Sequence, residues 1–151
     1  MNTDTFNEMT EEIKADEGVV NEVYLDHLGL PTVGVGHLIR EHDPEYGLDV
    51  GTQVGEERVA ELFEADLYTC VAETKLLYPQ FEELPAEVQK ILCNMMFNMG
   101  RPRLSRFHKM KKAVDSSDWT EAAKQMLDSK WARQVPNRAN RLIERMKNIQ
   151  T

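Results

Sequence analysis

Glu17 is followed nine residues later by a second carboxyl, Asp26, and six residues after that by a hydroxyl, Thr32, with Gly34, Gly36 and His37 directly behind. These are an acid, a base and a water-holder. Breaking a glycosidic bond with water needs a proton for the leaving oxygen from one carboxyl and activation of the attacking group by a second, on the other side of the sugar. A nine-residue separation cannot place both carboxyls on one helix face, so the chain must turn between them and bring a hairpin against a helix end.

The elements that would do this are legible. Residues 6–17 read as an amphipathic helix, with Phe6, Met9, Ile13 and Lys14 three and four apart and Gly18 as the C-terminal stop. Glu17 then sits where the helix gives way to a turn. Val23 and Tyr24, then residues 30–35, are short β-rich runs separated by Asp-His-Leu-Gly, a hairpin signal. Gly34 and Gly36 alternate with Val33 and Val35, leaving one strand face without side chains. Such a face marks close approach of something else. Two occupants fit, a helix packed on a twisted strand or a sugar, and the sugar is the expectation once the resemblance below is weighed.

Residues 41–55 contain Pro44, Gly47, Gly51 and Gly55 and read as a surface loop or an irregular third strand. Residues 56–78 form the longest helical pattern, closed by Pro79 and about 30 Å long. That is the length of a strut between two lobes. Residues 86–99 follow as a second core helix, ended by Gly100, with shorter helices at 107–114, 118–127, 130–133 and 137–148. Trp119 and Trp131 are expected as core anchors. Five of eight methionines fall between residues 95 and 126, which suits an adaptable core.

With 41% hydrophobic and 29% charged residues, the 151-residue chain is composed like a soluble globular protein. It has no apolar run of the roughly 18 to 20 residues needed to span a bilayer, and its first residues are acidic rather than basic then apolar. Membrane insertion and self-directed export are therefore not expected. Cys70 and Cys93 lie in apolar helical stretches without metal-ligand or redox spacing and read as free buried thiols. The net charge of −8 is divided unevenly. Residues 1–66 carry 17 acidic and 3 basic side chains, whereas residues 67–151 carry 9 and 15. From Arg101 to Val114 there are six basic residues and no acid. The basic half is the natural surface for an anionic partner.

The stretch from Ala15 to His37 resembles the catalytic region of the phage T4 lysozyme family, endolysins that cut the glycan strands of bacterial peptidoglycan. Asn94-Met-Met-Phe-Asn-Met-Gly100, Trp119-Thr-Glu-Ala-Ala123, Ser129-Lys-Trp131 and Pro136-Asn-Arg-Ala139 continue it in the family's order. The resemblance implies an α+β, two-lobe lysozyme fold over residues 1–151. Its β-containing lobe would be residues 18–55 and its connecting helix 56–78. A helical lobe would comprise 79–151, with 1–17 packed on it. It implies Glu17 as general acid, Asp26 as the group that helps activate water and Thr32 as its holder. The anomeric centre would be inverted, with the carboxyls about 6.5 to 9.5 Å apart. Leu38, Phe97 and Gln125 match substrate-contacting positions, Gln125 standing where an asparagine is usual, and Met110 replaces a cleft serine.

His37 and Asp66 match a structural ion pair, and Arg138 an arginine that pairs with the acid across the cleft. An arginine alone favours an ionised carboxyl, so water exclusion on substrate binding is expected to restore the proton. No metal or cofactor is implied. The partner would be peptidoglycan, with no nucleic acid, and the protein would act as a monomer. It would be made in the host cytoplasm and reach the wall in the periplasm through a separate holin-like release factor. Three other readings remain: a wall-binding or virion-structural module with this fold and no chemistry, a lytic transglycosylase, and a nucleic-acid binder using the basic run. Asp26 argues against the transglycosylase, and overall acidity against the nucleic-acid binder.

Overall fold

A computed structural model describes residues 1–150; Thr151, included in the expected domain range, lies outside the described residues. The fold is α+β, with a small antiparallel sheet and a predominance of helix. Contacts divide the chain into two compact units, one formed by residues 10–69 and the other by residues 1–9 with the chain from Cys70 onward. Both divisions fall inside helices, so the first helix is shared between the units.

Helix α1 (Thr3–Glu17) starts in the helical unit, with the Thr5 N–H donating to Asn2 Oδ1 at 2.8 Å, and runs on into the sheet-bearing unit. It ends where Gly18, at φ 77, donates to the Lys14 carbonyl at 2.9 Å. Glycine takes that left-handed conformation without a Cβ clash, which places Glu17 on the last helical residue. Strands β1 (Val20–Leu25), β2 (Pro31–Gly34) and β3 (His37–Leu38) follow in the order β1-β2-β3. The expected run 30–35 is thus interrupted: residues 35 and 36 are a turn, and the third strand is two residues long. The end of the 41–55 segment runs along β1: Gln53 forms an isolated bridge to Glu22, the Gly51 N–H donates to the Val23 carbonyl at 2.8 Å, the Val23 N–H to the Thr52 carbonyl at 2.9 Å, and the Val54 N–H to the Asn21 carbonyl at 3.0 Å.

Helix α2 (Glu56–Leu77) supplies Val59 and Leu62 to a core with Val23, Val33, Ile39 and Val54. Gly34 is where strand and helix meet. It is buried with φ 69, and a Cβ built there would lie 2.9 Å from Val59 Cγ1. The glycine face therefore receives α2 at Gly34, which corrects the expectation of room for a sugar at that position alone. Gly36, also at positive φ, is exposed with nothing within 4 Å of such a Cβ. Gly34→Ala should thus cost about 2 to 3 kcal/mol through strain plus overlap, and Gly36→Ala about 1 kcal/mol through strain alone. Urea unfolding of the pair decides it; equal losses would mean Val59 yields freely.

The helical unit is built on α3 (Ala86–Met99), whose Val88, Ile91, Leu92, Met95 and Met99 are buried as their spacing requires. After it come α4 (Arg101–Leu104), a single turn the basic run concealed, then α5 (His108–Asp115) and α6 (Trp119–Leu127). Helices α7 (Lys130–Gln134) and α8 (Pro136–Lys147) complete it. Asp118 caps α6 through the Glu121 N–H, and Ser129 caps α7 through the Ala132 N–H, both at 3.1 Å. Trp119 and Trp131 are buried, and Trp131 Nε1 donates to Asn98 Oδ1 at 2.7 Å. Residues 1–9 belong here partly because Glu8 meets Lys90 of α3 at 2.7 Å.

Both cysteines are free and buried, and Cys70 Sγ donates to the Cys93 carbonyl at 3.2 Å. The interaction with Cys93, followed by burial, pushes the Cys70 thiol far up, so its nucleophilic thiolate is suppressed. A thiol reagent should therefore find no fast-reacting sulfur in the native protein and two after denaturation. A rapid native reaction would show that this core opens readily.

Candidate active site

Leu30 organises the hairpin end of the sheet through its backbone. Its carbonyl accepts the Asp26 N–H at 2.9 Å and the Thr32 hydroxyl at 2.9 Å, and its N–H donates to Asp26 Oδ1 at 2.9 Å. The Leu28 N–H adds a second bond to the same oxygen at 2.8 Å. A carboxylate in a tight turn accepts its own following N–H groups, which is why aspartate suits this position. The Leu30 N–H, and further the Leu28 N–H, outweigh desolvation and hold the Asp26 carboxyl below its ordinary range. The carboxyl is therefore ionised at neutral pH.

Thr32 is 4% exposed, and its hydroxyl proton is committed to the Leu30 carbonyl. Toward a water it is therefore an acceptor. A water donating one hydrogen to Thr32 Oγ1 and one to Asp26 would keep a lone pair for an electrophilic carbon. Thr32 pairs with Tyr24 of β1 on one side and with Leu38 of β3 on the other. Directly opposed residues share a sheet face, so Tyr24, Thr32 and Leu38 form one row.

Tyr24 ties Glu17 into this group. Its phenol is held above the ordinary range first by burial, then by the charges of Glu17 and of Asp26. Both carboxyls lie close enough to be felt at one ring. Glu17 is itself half-buried at the end of α1.

His37 sits between two acids: Nδ1 is 2.8 Å from Asp66 Oδ2 of α2, and Nε2 is 2.8 Å from Asp43 Oδ2. With both ring nitrogens on carboxylates, the imidazole is held protonated, and its proton affinity is raised chiefly by Asp66, against burial, with help from Asp43. The Asp66 contact appears as expected; Asp43 was not anticipated. Asp43 also accepts the Arg40 N–H at 2.9 Å, and nearby Glu45 takes both Nε and Nη2 of Arg58 at 3.0 and 3.1 Å. Two buried carboxylates thus pin the 40–50 loop to its own unit. An acid in a polar loop carries no periodic signal that could have singled these out.

Phe97, Gln125 and Arg138 belong to the helical unit, on α3, α6 and α8, and all three are half-buried. Arg138 Nε donates to the fully buried Asn94 Oδ1 at 2.8 Å, which fixes the guanidinium within that unit. Gln125 Nε2 reaches Glu121 Oε1 at 3.4 Å. Met110, at the expected serine position, is fully buried yet lines a groove with Gln125.

The phage lysozyme family model matches residues 14–148, a range that includes every one of these side chains. The chain belongs to the phage lysozyme family. It is 30% identical to Probable T4-type lysozyme 2 of Dictyostelium discoideum, over 87% of this chain and 88% of that one. Probable T4-type lysozyme 1 of the same organism is 30% identical over the same shares. The Pre-baseplate central spike protein Gp5 of Enterobacteria phage T4 is 32% identical over 89% of this chain, but the match covers only 26% of that protein. Family and relatives support a glycosidase of the lysozyme type.

Proposed function

We propose that the protein is an endolysin hydrolysing the β-1,4 bond between N-acetylmuramic acid and N-acetylglucosamine of peptidoglycan, with inversion. Glu17 protonates the leaving oxygen, Asp26 takes a proton from the attacking water, and Thr32 holds that water. The observation that carries this reading is the Leu30 backbone, which makes Thr32 an acceptor and turns Asp26 into an anchored base. Arg138 serves as a supporting residue, and Leu38, Phe97 and Gln125 contact sugar. The reaction runs without metal or cofactor, and the enzyme works as a monomer. No helix among the described residues is long and apolar enough to cross a membrane. Release from the host cytoplasm to the periplasmic wall is accordingly assigned to a separate holin-like factor.

Purified Gram-negative peptidoglycan provides the test. Turbidity loss with new reducing ends supports the hydrolase, whereas anhydro-sugar products would assign a transglycosylase instead. The match to part of a spike protein favours a second reading, a virion-structural or wall-binding module. Binding to walls with no bond cleavage would promote it.

A further inference from the structure

The two faces of the sheet are occupied differently. Val23 and Val33 turn one face toward α2, where they join Val59 and Leu62 in the core. The opposite face carries the row Tyr24, Thr32 and Leu38, paired residue to residue across the three strands. The Asp26 N–H on the Leu30 carbonyl extends the β1–β2 ladder one step beyond Leu25, so Asp26, two residues from Tyr24, falls on that face as well. Tyr24 is therefore flanked by Asp26 along its own strand and by Thr32 across the sheet. It is half-buried, and among the described residues its hydroxyl has no hydrogen-bond partner.

Thr32 commits its proton to the Leu30 carbonyl, Asp26 is ionised, and Leu38 is apolar. Of these four side chains Tyr24 is the one with a hydrogen to give. Burial, with the charges of Glu17 and Asp26, keeps that hydrogen on the phenol through neutral and mildly alkaline pH. Resting on the proposed hydrolysis, a sugar must present its anomeric carbon to a water held by Thr32 and Asp26. Neighbouring strands are about 4.8 Å apart, less than the breadth of a substituted pyranose, so that sugar reaches the side chains on either side of Thr32. Its hydroxyl and acetamide oxygens accept hydrogen bonds, which Asp26 and Thr32 do not offer. We propose that Tyr24 is a further catalytic residue, whose phenol O–H donates to an oxygen of the sugar undergoing cleavage while Leu38 packs against the C–H groups of the ring. A donor that holds the sugar at the distance of attack counts most in the transition state, so its loss is felt in kcat.

The test compares wild type with Tyr24→Phe, which keeps the ring and removes only the hydroxyl. On purified peptidoglycan kcat should fall by about tenfold with KM little changed, while the melting temperature stays within about 2 °C. A ring that merely packs would give the opposite pattern: wild-type kcat in Tyr24→Phe, and a lost melting temperature in Tyr24→Leu. Binding is read separately, in the Glu17→Gln protein so that nothing is cleaved. The probe is a soluble tetrasaccharide of alternating N-acetylglucosamine and N-acetylmuramic acid. With tyrosines labelled at Cζ, the resonance that Tyr24→Phe removes should shift as the tetrasaccharide is added, and that substitution should weaken binding several-fold. An unmoved Tyr24 resonance, or wild-type kcat in Tyr24→Phe, would overturn the assignment. The two readouts keep the ideas apart. Cleavage that ignores the hydroxyl retires the role of Tyr24 alone, whereas a shifted resonance in a protein whose wild type releases no reducing ends keeps Tyr24 as a sugar contact and retires the hydrolase.

Discussion

Glu17→Gln should leave a folded protein whose kcat on purified peptidoglycan is lower by about a thousandfold, with KM little changed, because a positioned general acid contributes about 10² to 10⁴. Asp26→Asn should fall by a similar factor, for a reason written in the hairpin. The new amide would keep its oxygen on the Leu28 and Leu30 N–H groups, which anchor Oδ1 at 2.8 and 2.9 Å. Its NH₂ would then face the water, presenting a donor where an acceptor is needed. The fold survives and the base is gone. Thermal melting of each variant should stay within about 3 °C of wild type, since neither side chain is part of the core. Reducing-end release provides the rate. Either variant keeping more than about a tenth of wild-type kcat would remove that residue from the role assigned to it.

The parts of this site readable from sequence are those with local causes. Gly18 must end α1 because only glycine takes φ 77 there without strain, so Glu17 lands at the helix end. Asp-His-Leu-Gly must turn, so Asp26 lands at the hairpin tip. Thr32 follows from alternation with Val33, the core residue beside it. What escaped depends on tertiary contact. Gly34 could equally have faced a sugar or a helix, and only the 2.9 Å approach of Val59 selects the helix. Strand β3 has two residues, too few for a period to emerge. Asp43 and Glu45 are acids in a segment of turn residues, where nothing distinguishes a solvated carboxylate from one buried against His37 or Arg58. The basic run was visible as composition. Its division into a paired Lys111 and an unpaired Lys109 and Lys112 required side-chain directions.

That same His37 network should give the sheet-bearing unit a pH-dependent stability of defined sign. His37 binds its proton more tightly folded than unfolded, because Asp66 and Asp43 accept from both ring nitrogens. Its contribution is therefore complete below the ordinary value of 6.5 and is lost as pH rises through the higher folded value. Asp43 behaves oppositely. Burial pushes its carboxyl up, but the Arg40 N–H and His37 outweigh burial and hold it below 3.8. Its contribution is present above 3.8 and fades as pH falls through the folded value. The network thus stabilises most between about pH 4 and 6.5. Asp43→Ala removes a nearly buried acceptor from both His37 and the Arg40 N–H, so it should cost about 3 kcal/mol at pH 6, lowering Tm by about 6 to 10 °C. Urea unfolding of wild type and His37→Gln from pH 5 to 9 checks the sign. The stability difference should be largest at the acid end and shrink above pH 6.5, by no more than about 1.4 kcal/mol per pH unit, because a single proton is involved. A difference that stays constant across that range would mean that His37 does not hold its proton through the two carboxylates.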